Sequence, residues 1–166
     1  MIKDFKSETT PELPFEPQVG NFKLVLPPGF QTPIDQSSGI AGLGNEMKVT
    51  QFLSTGATGL IVMTRFSEIR GMTTPKRINR AREGLTGGIL EALKGKVVKS
   101  GTVVRQGASC QELRITSEIS GQVFNGRCLI YTHKKSFYMF FFLSPSTTTL
   151  DSPEAERFFD SIRISP

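Results

Sequence analysis

The sequence predicts an α+β domain: a curved antiparallel sheet of about six to seven strands, packed by an amphipathic middle helix and a C-terminal helix. Three observations predict it. Four strand-like segments follow one another between residues 96 and 143, separated only by short turn signals. One stretch of helical periodicity stands alone in the middle, near residues 74–94, and a second follows residue 151. Strands in unbroken runs with few helices do not fit an alternating βαβ architecture.

Residues 1–20 carry Pro11, Pro14 and Pro17 with Glu8, Glu12 and Glu16 among them. Each proline removes a backbone donor and biases its predecessor to extended geometry, so this segment is expected as an extended, Pro-rich acidic arm. It is read as a solvated tail, or as an arm lying on a basic surface of its own domain or a partner. A single α+β domain over 21–166 follows. Its first strand, 21–26, alternates apolar Phe22, Leu24 and Leu26 with Lys23 and Val25, and Pro27-Pro28-Gly29 ends it. Residues 31–44, rich in Gly, Ser, Asp and Pro, read as a loop. Strands at 46–54 and 58–66 are joined at Thr55-Gly56-Ala57, and the near-continuous apolar run of the second suits a central strand.

The middle helix has Thr74 as N-cap and Pro75 at its first position. Ile78, Ala81, Leu85, Ile89, Ala92 and Leu93 recur every three or four residues and mark a buried stripe, and Gly95 is placed to stop it. Gly84, Gly87 and Gly88 either permit close packing on the sheet or mark a break near 86–88. Strands are then expected at 96–105, 108–118, 122–132 and 136–143. Turn candidates are Gln106-Gly107, Ser120-Gly121 and Lys134-Lys135, with Asn125-Gly126 as a competing hairpin signal. The run Phe137–Leu143 must be buried on both faces, with Lys134 and Lys135 as gatekeepers against aggregation. The closing helix has Ser152 as N-cap and Pro153 first, with Ala155, Phe158, Phe159 and Ile162 forming its apolar stripe.

This order and its edge motifs resemble the PsbP/Mog-like fold. The strand ending Leu26-Pro27-Pro28-Gly29-Phe30 is similar to the opening strand, proline, glycine and aromatic of that group. The middle helix before an antiparallel run and the closing Phe158-Phe159-Asp160-Ser161-Ile162 look similar too, with Ile162 where those families commonly place an aromatic. The resemblance implies an α/β/α sandwich over about residues 20–164. It also implies a scaffold that binds another macromolecule rather than a catalyst. The group includes PsbP, an extrinsic subunit of photosystem II, and Mog-type proteins that bind the GTPase Ran. Bacterial lipoproteins, secretion-associated chaperones and DcrB-like proteins of unknown function belong to it as well. It carries no functional residue over, because no binding motif of those families is matched.

At 166 residues, with 37% hydrophobic and 21% charged residues, the chain can bury a real core without staples. One His, two Cys and no Trp leave little material for metal or nucleophilic chemistry. Cys110 and Cys128 lie in apolar, strand-like surroundings and read as structural thiols, with a bridge or a reactive Cys as the alternatives. His133, beside Lys134 and Lys135, reads as an exposed turn residue, a poor place for a catalytic base. The sequence lacks a G-x-S-x-G elbow, a P-loop, a dinucleotide fingerprint and an EF-hand loop. An enzyme is therefore not expected, and no metal or cofactor is called for. No apolar run approaches the ~20 residues of a spanning helix. If Met1 is the native start a cytoplasmic location is expected; if a leader is missing, an exported or thylakoid-lumen-like one.

Charge is the informative polar feature. The chain carries a net +5. Ten basic residues lie between Arg65 and Arg105 against three acidic ones, so this segment is more basic than the whole chain. Lys76, Arg77 and Arg80 fall on one arc of the middle helix, with Arg70 just before it, while Arg82 lies at the margin of the apolar stripe and is expected to snorkel. Cations in a first helical turn oppose the macrodipole, so stability alone would not choose them there. These four residues are the candidate binding site, opposed by the simpler reading of a solvated helix face. The expected partner is a protein with an acidic surface, with an anionic lipid headgroup or the chain's own acidic arm as alternatives. Nucleic acid is disfavoured, because the aromatics sit in core-like strands rather than among the cations. The leading function is a non-catalytic binding or accessory module. The second is a carrier enclosing an apolar ligand or peptide between sheet and helix, motivated by 13 Phe residues and the glycine-thinned helix. An enzyme built on groups such as Glu112 with Arg114 ranks third, since these are expected on an exposed strand face.

Overall fold

The computed structural model describes residues 11–37, 47–71, 73–105 and 107–165. The strands are β1 (Leu13–Phe15), β2 (Phe22–Leu26), β3 (Ile34–Asp35), β4 (Lys48–Gly56) and β5 (Gly59–Ser67). After α1 (Pro75–Ala92) come β6 (Lys96–Arg105), β7 (Ala108–Ile119), β8 (Gln122–His133) and β9 (Ser136–Ser144). Two helices, α2 (Thr147–Leu150) and α3 (Pro153–Ser161), and a last short strand, β10 (Arg163–Ile164), follow.

Seven strands form the main antiparallel sheet in the order β3-β4-β5-β9-β8-β7-β6. From β5 the chain crosses the sheet through α1 to the far edge, then meanders back until β9 lies beside β5. This makes β9 a central strand, and its alternation divides one apolar run between two cores. Tyr138, Phe140 and Phe142 face one layer, with Phe22, Leu24, Leu26, Phe158 and Phe159. Phe137, Met139, Phe141 and Leu143 face the other, with Leu113, Ile115 and Ile130. The first layer is closed by α3 and the small sheet β1-β2-β10, and its rings meet edge to face, as where Phe22 and Phe140 lie 5.3 Å apart at 79°. The second layer is covered by α1.

The long strands and both helix starts follow the sequence expectation. Thr74 Oγ1 accepts from Arg77 N at 3.3 Å, and Ser152 Oγ accepts from Ala155 N at 3.2 Å. Several expectations need correction. Leu13 and Phe15 are half-buried rather than solvated, with Pro14 exposed between them: Leu13, Pro14 and Phe15 pair with Leu26, Val25 and Leu24, because Leu13 and Phe15 can then pack against the first core. Glu12 of the same segment pairs with Arg157 at 3.0 Å. Residues 1–10 lie outside the described residues. The expected loop at 31–44 contains β3, paired with Phe52 and Leu53; residues 38–46 lie outside the described ones.

Helix α1 is continuous through 86–88, and an added Cβ at Gly84, Gly87 or Gly88 would meet open space. The three glycines neither mark a break nor allow close packing. The apolar stripe of α1 is only half-buried, and none of the helix residues is fully buried. The helix ends in a Schellman arrangement. Gly95 N donates to Leu90 O at 2.7 Å and Lys94 N to Glu91 O at 3.1 Å, with Lys94 rather than Gly95 at positive φ (49°).

Between β7 and β8 the turn is Ser120-Gly121, and Asn125-Gly126 lies inside β8. Gly126 is there for space: an added Cβ would sit 2.6 Å from Ile115 Cγ1 and 2.7 Å from Leu143 Cδ2. Lys134 and Lys135 flank a strand whose two edges are both paired in the native sheet; among the described residues the open edges belong to β3 and β6.

Candidate functional site

Lys76, Arg77 and Arg80 project from the first turns of α1, and Arg70 lies in the turn between β5 and the helix. All four are exposed. Spacings of three and four residues place Arg80 beside both Lys76 and Arg77 on one face of the helix. Arg77 Nη1 donates to Thr73 Oγ1 at 3.5 Å, and no ion pair among the described residues involves any of the four. The first turn of α1 contains no acidic residue, so the helix dipole is left to oppose these charges. Arg82, at the stripe margin, is half-buried, and its Nε has no partner among the described residues.

The strongest polar cluster lies elsewhere, and charge counting along the sequence does not find it. Arg127 of β8 is 3% exposed. Its Nε donates to Glu112 at 2.5 Å, and its Nη1 donates to Glu156 at 2.6 Å and to the Leu150 carbonyl at 3.2 Å. The guanidinium lies 4.6 Å from the centroid of Phe159, stacked over the ring. Arg105 extends the cluster to Glu156 at 3.5 Å and to Asp160 at 2.5 Å, and Arg114 pairs with Asp151 at 2.5 Å. Glu112 and Arg114 are thus not a bare strand face; they reach under α2 and α3. The sequence signal was an arginine directly before the apolar stretch Cys128-Leu129-Ile130-Tyr131, a position that demands a partner. Burial pushes the Glu156 carboxyl up, but Arg127 and Arg105 outweigh it and hold the group below its ordinary value of 4.5. Every charge here has a structural partner, so the cluster fastens α3 to the sheet.

Cys110 and Cys128 are free and buried in layers on opposite faces of the sheet, so a bridge between them is not formed. Burial raises both thiols, Cys128 well above the ordinary value. His133 is half-buried at the end of β8 rather than exposed in the turn, with its Nε2 closed off from solvent. Among the described residues no three His, Cys, Asp or Glu are gathered as metal ligands, and no helix is long and apolar enough to cross a membrane.

These elements define an α+β sandwich built on one antiparallel sheet, helix-covered on one face and closed on the other by a helix with a small sheet. The particular fold is the PsbP-like one. The chain is similar to the solution structure of cyanobacterial PsbP (CyanoP) from Synechocystis sp. PCC 6803, with a TM-score of 0.62 at 10% identity over 96% of this chain and 95% of that one. It is also similar to a protein of unknown function from Pseudomonas aeruginosa, with a TM-score of 0.51 at 11% identity over 93% and 98% of the two chains. A third likeness, to a protein from Bacteroides thetaiotaomicron, has a TM-score of 0.53 at 13% identity and covers 88% of this chain but 46% of that one. No protein-family profile and no curated protein matches the sequence.

Proposed function

We propose that this chain is a non-catalytic binding module that docks to an acidic protein surface through Lys76, Arg77, Arg80 and Arg70. The observation that carries this reading is the mismatch between the charges and their own helix. Lys76 and Arg77 sit in the first turn of α1 without an acidic neighbour there, where they weaken the helix by about 0.3–1 kcal/mol each, and Arg80 adds its charge one turn on. A partner that supplies the missing negative charge turns that loss into affinity and speeds encounter. The PsbP-like fold supports an accessory role of this kind.

The test compares the intact chain with a Lys76/Arg77/Arg80→Glu variant in capture from its host extract, at low and at high salt. The reading expects a partner retained at low salt, released by salt and lost by the variant. Vesicles containing anionic lipid, run in parallel, separate a headgroup from a protein. Unchanged capture by a variant that circular dichroism finds folded would sink it. Two observations weigh against the carrier reading: the α1 glycines face open space, and rings such as Phe22, Phe140, Phe142 and Phe158 are packed on one another in the core.

A further inference from the structure

The edge of the main sheet at β6 is open. That strand ends the strand order, and over its ten residues the outward backbone N–H and C=O groups meet no further strand among the described residues. The opposite edge, β3, has two residues. At about 3.3 Å per residue, β6 offers roughly 33 Å of extended template. It contains no proline, and from Lys99 to Arg105 it pairs with β7 without irregularity, so its outer side is regular there.

Cross-strand pairing sorts its side chains by face. Val97 stands opposite Ile115 and Val104 opposite Ser109, on the α1 side; Lys96 stands opposite Thr116 and Lys99 opposite Arg114, on the α3 side. Of the six large apolar side chains exposed among the described residues, three are Val97, Val98 and Val104. Lys96 and Lys99 are exposed as well, β6 carries no Asp or Glu, and no ion pair among the described residues involves either lysine. Lysines on an edge serve to keep a second copy away. That role does not account for valines left on the same edge, nor for Lys99 facing Arg114. Like charges directly opposite one another destabilise a sheet, and Asp151 answers only Arg114. A carboxylate on the outer side of Lys99 would relieve that pair.

We propose that β6 is a docking edge for an extended acidic segment of a partner protein, which adds antiparallel to it as an eighth strand of the sheet. Backbone hydrogen bonds supply the affinity. Carboxylates opposite Lys96 and Lys99, and β-branched residues opposite Val97 and Val104, supply the choice of partner. The same two lysines then repel another β6 and admit an acidic strand.

The probe is a capped peptide, Val-Thr-Val-Thr-Val-Glu-Val-Glu, beside its counterpart with Lys in place of both Glu. Laid antiparallel on β6, its carboxylates fall opposite Lys99 and Lys96 and its valines fall on the α1 side. Each peptide is titrated into the intact chain while backbone amide hydrogen exchange is followed by NMR. Saturable protection of amides within 99–105 by the acidic peptide is expected, with the lysine peptide weaker by about tenfold or more. In a Lys96/Lys99→Glu chain that preference is expected to reverse. The Lys76/Arg77/Arg80→Glu chain is expected to keep the wild-type midpoint, which separates the strand edge from the helix face. Absent protection of β6 amides overturns the proposal, as does equal protection of the wild type by both peptides. A preference unchanged by the charge reversal, or a midpoint that follows the α1 variant, overturns it too. The wild-type contrast between the peptides decides the matter if the reversed chain does not fold.

Discussion

Arg127 Nη1 donates to Glu156 Oε1 across 2.6 Å, joining the middle of β8 to the first turn of α3. One residue is 3% exposed and the other 45%, so the charge that cannot reach water is the arginine's. Its stability depends on the two carboxylates, and theirs depends on it less.

Replacing Arg127 by Met removes the buried charge but strands Glu112 and Glu156 beside apolar surface. Removing one member of a buried pair costs about 3–5 kcal/mol; the partial exposure of both carboxylates brings the expected loss to about 2–3 kcal/mol. Urea denaturation measures it. A loss under about 1 kcal/mol would mean that the Phe159 stack and the carboxylates contribute little.

The same pair makes stability depend on acid. Glu156 has its folded value held below 4.5, so it binds fewer protons folded than unfolded over the acidic range. Its contribution is complete above that value and is lost as pH falls through the lower, folded one. Melting curves of the wild type and Arg127→Met should therefore differ most near neutrality and converge as pH drops toward about 3. A gap that stays constant with pH contradicts the assignment.

Gly84, Gly87 and Gly88 face open space on a helix, where each costs up to about 1 kcal/mol relative to Ala. Changing all three to Ala should stabilise the chain by about 2–3 kcal/mol. A thermal melt decides, and a lower midpoint would mean that α1 needs close approach at these positions.

Strand β6 is a ten-residue open edge with Val98 68% and Val104 73% exposed. Lys96, Lys99 and the bulge between Val97 and Lys99 are what discourage edge-to-edge pairing there. A Lys96/Lys99→Thr variant is expected to self-associate with rising concentration in sedimentation velocity, while the wild type does not change.

Much of this was readable from local pattern. The four strands from 96 to 144 and the caps Thr74 and Ser152 depend on neighbours within a turn or a hairpin, and periodicity reports those. The exposure of Lys76, Arg77 and Arg80 followed from helical phase alone. What pattern could not supply was pairing at a distance. Leu13–Phe15 reads as proline-rich coil until β2 is there to receive it. Nothing near Arg127 in the sequence names its partners, because Glu112 and Glu156 stand 15 and 29 positions away. Gly126 carries a turn signature, yet its role is to leave room for Ile115 and Leu143.

Strand β2 is held from both sides by segments from opposite ends of the described chain: β1 just before it and β10 far beyond. Ser161 Oγ accepts from the Val25 amide at 2.8 Å, a bond between residues 136 positions apart. During synthesis β2 leaves the ribosome before the main sheet and must wait for nearly all of that sheet before its second neighbour exists. The first core can close only after α3 and β10 have been made, so a nascent chain paused before α3 would display Phe22, Leu24 and Leu26 to whatever is nearby.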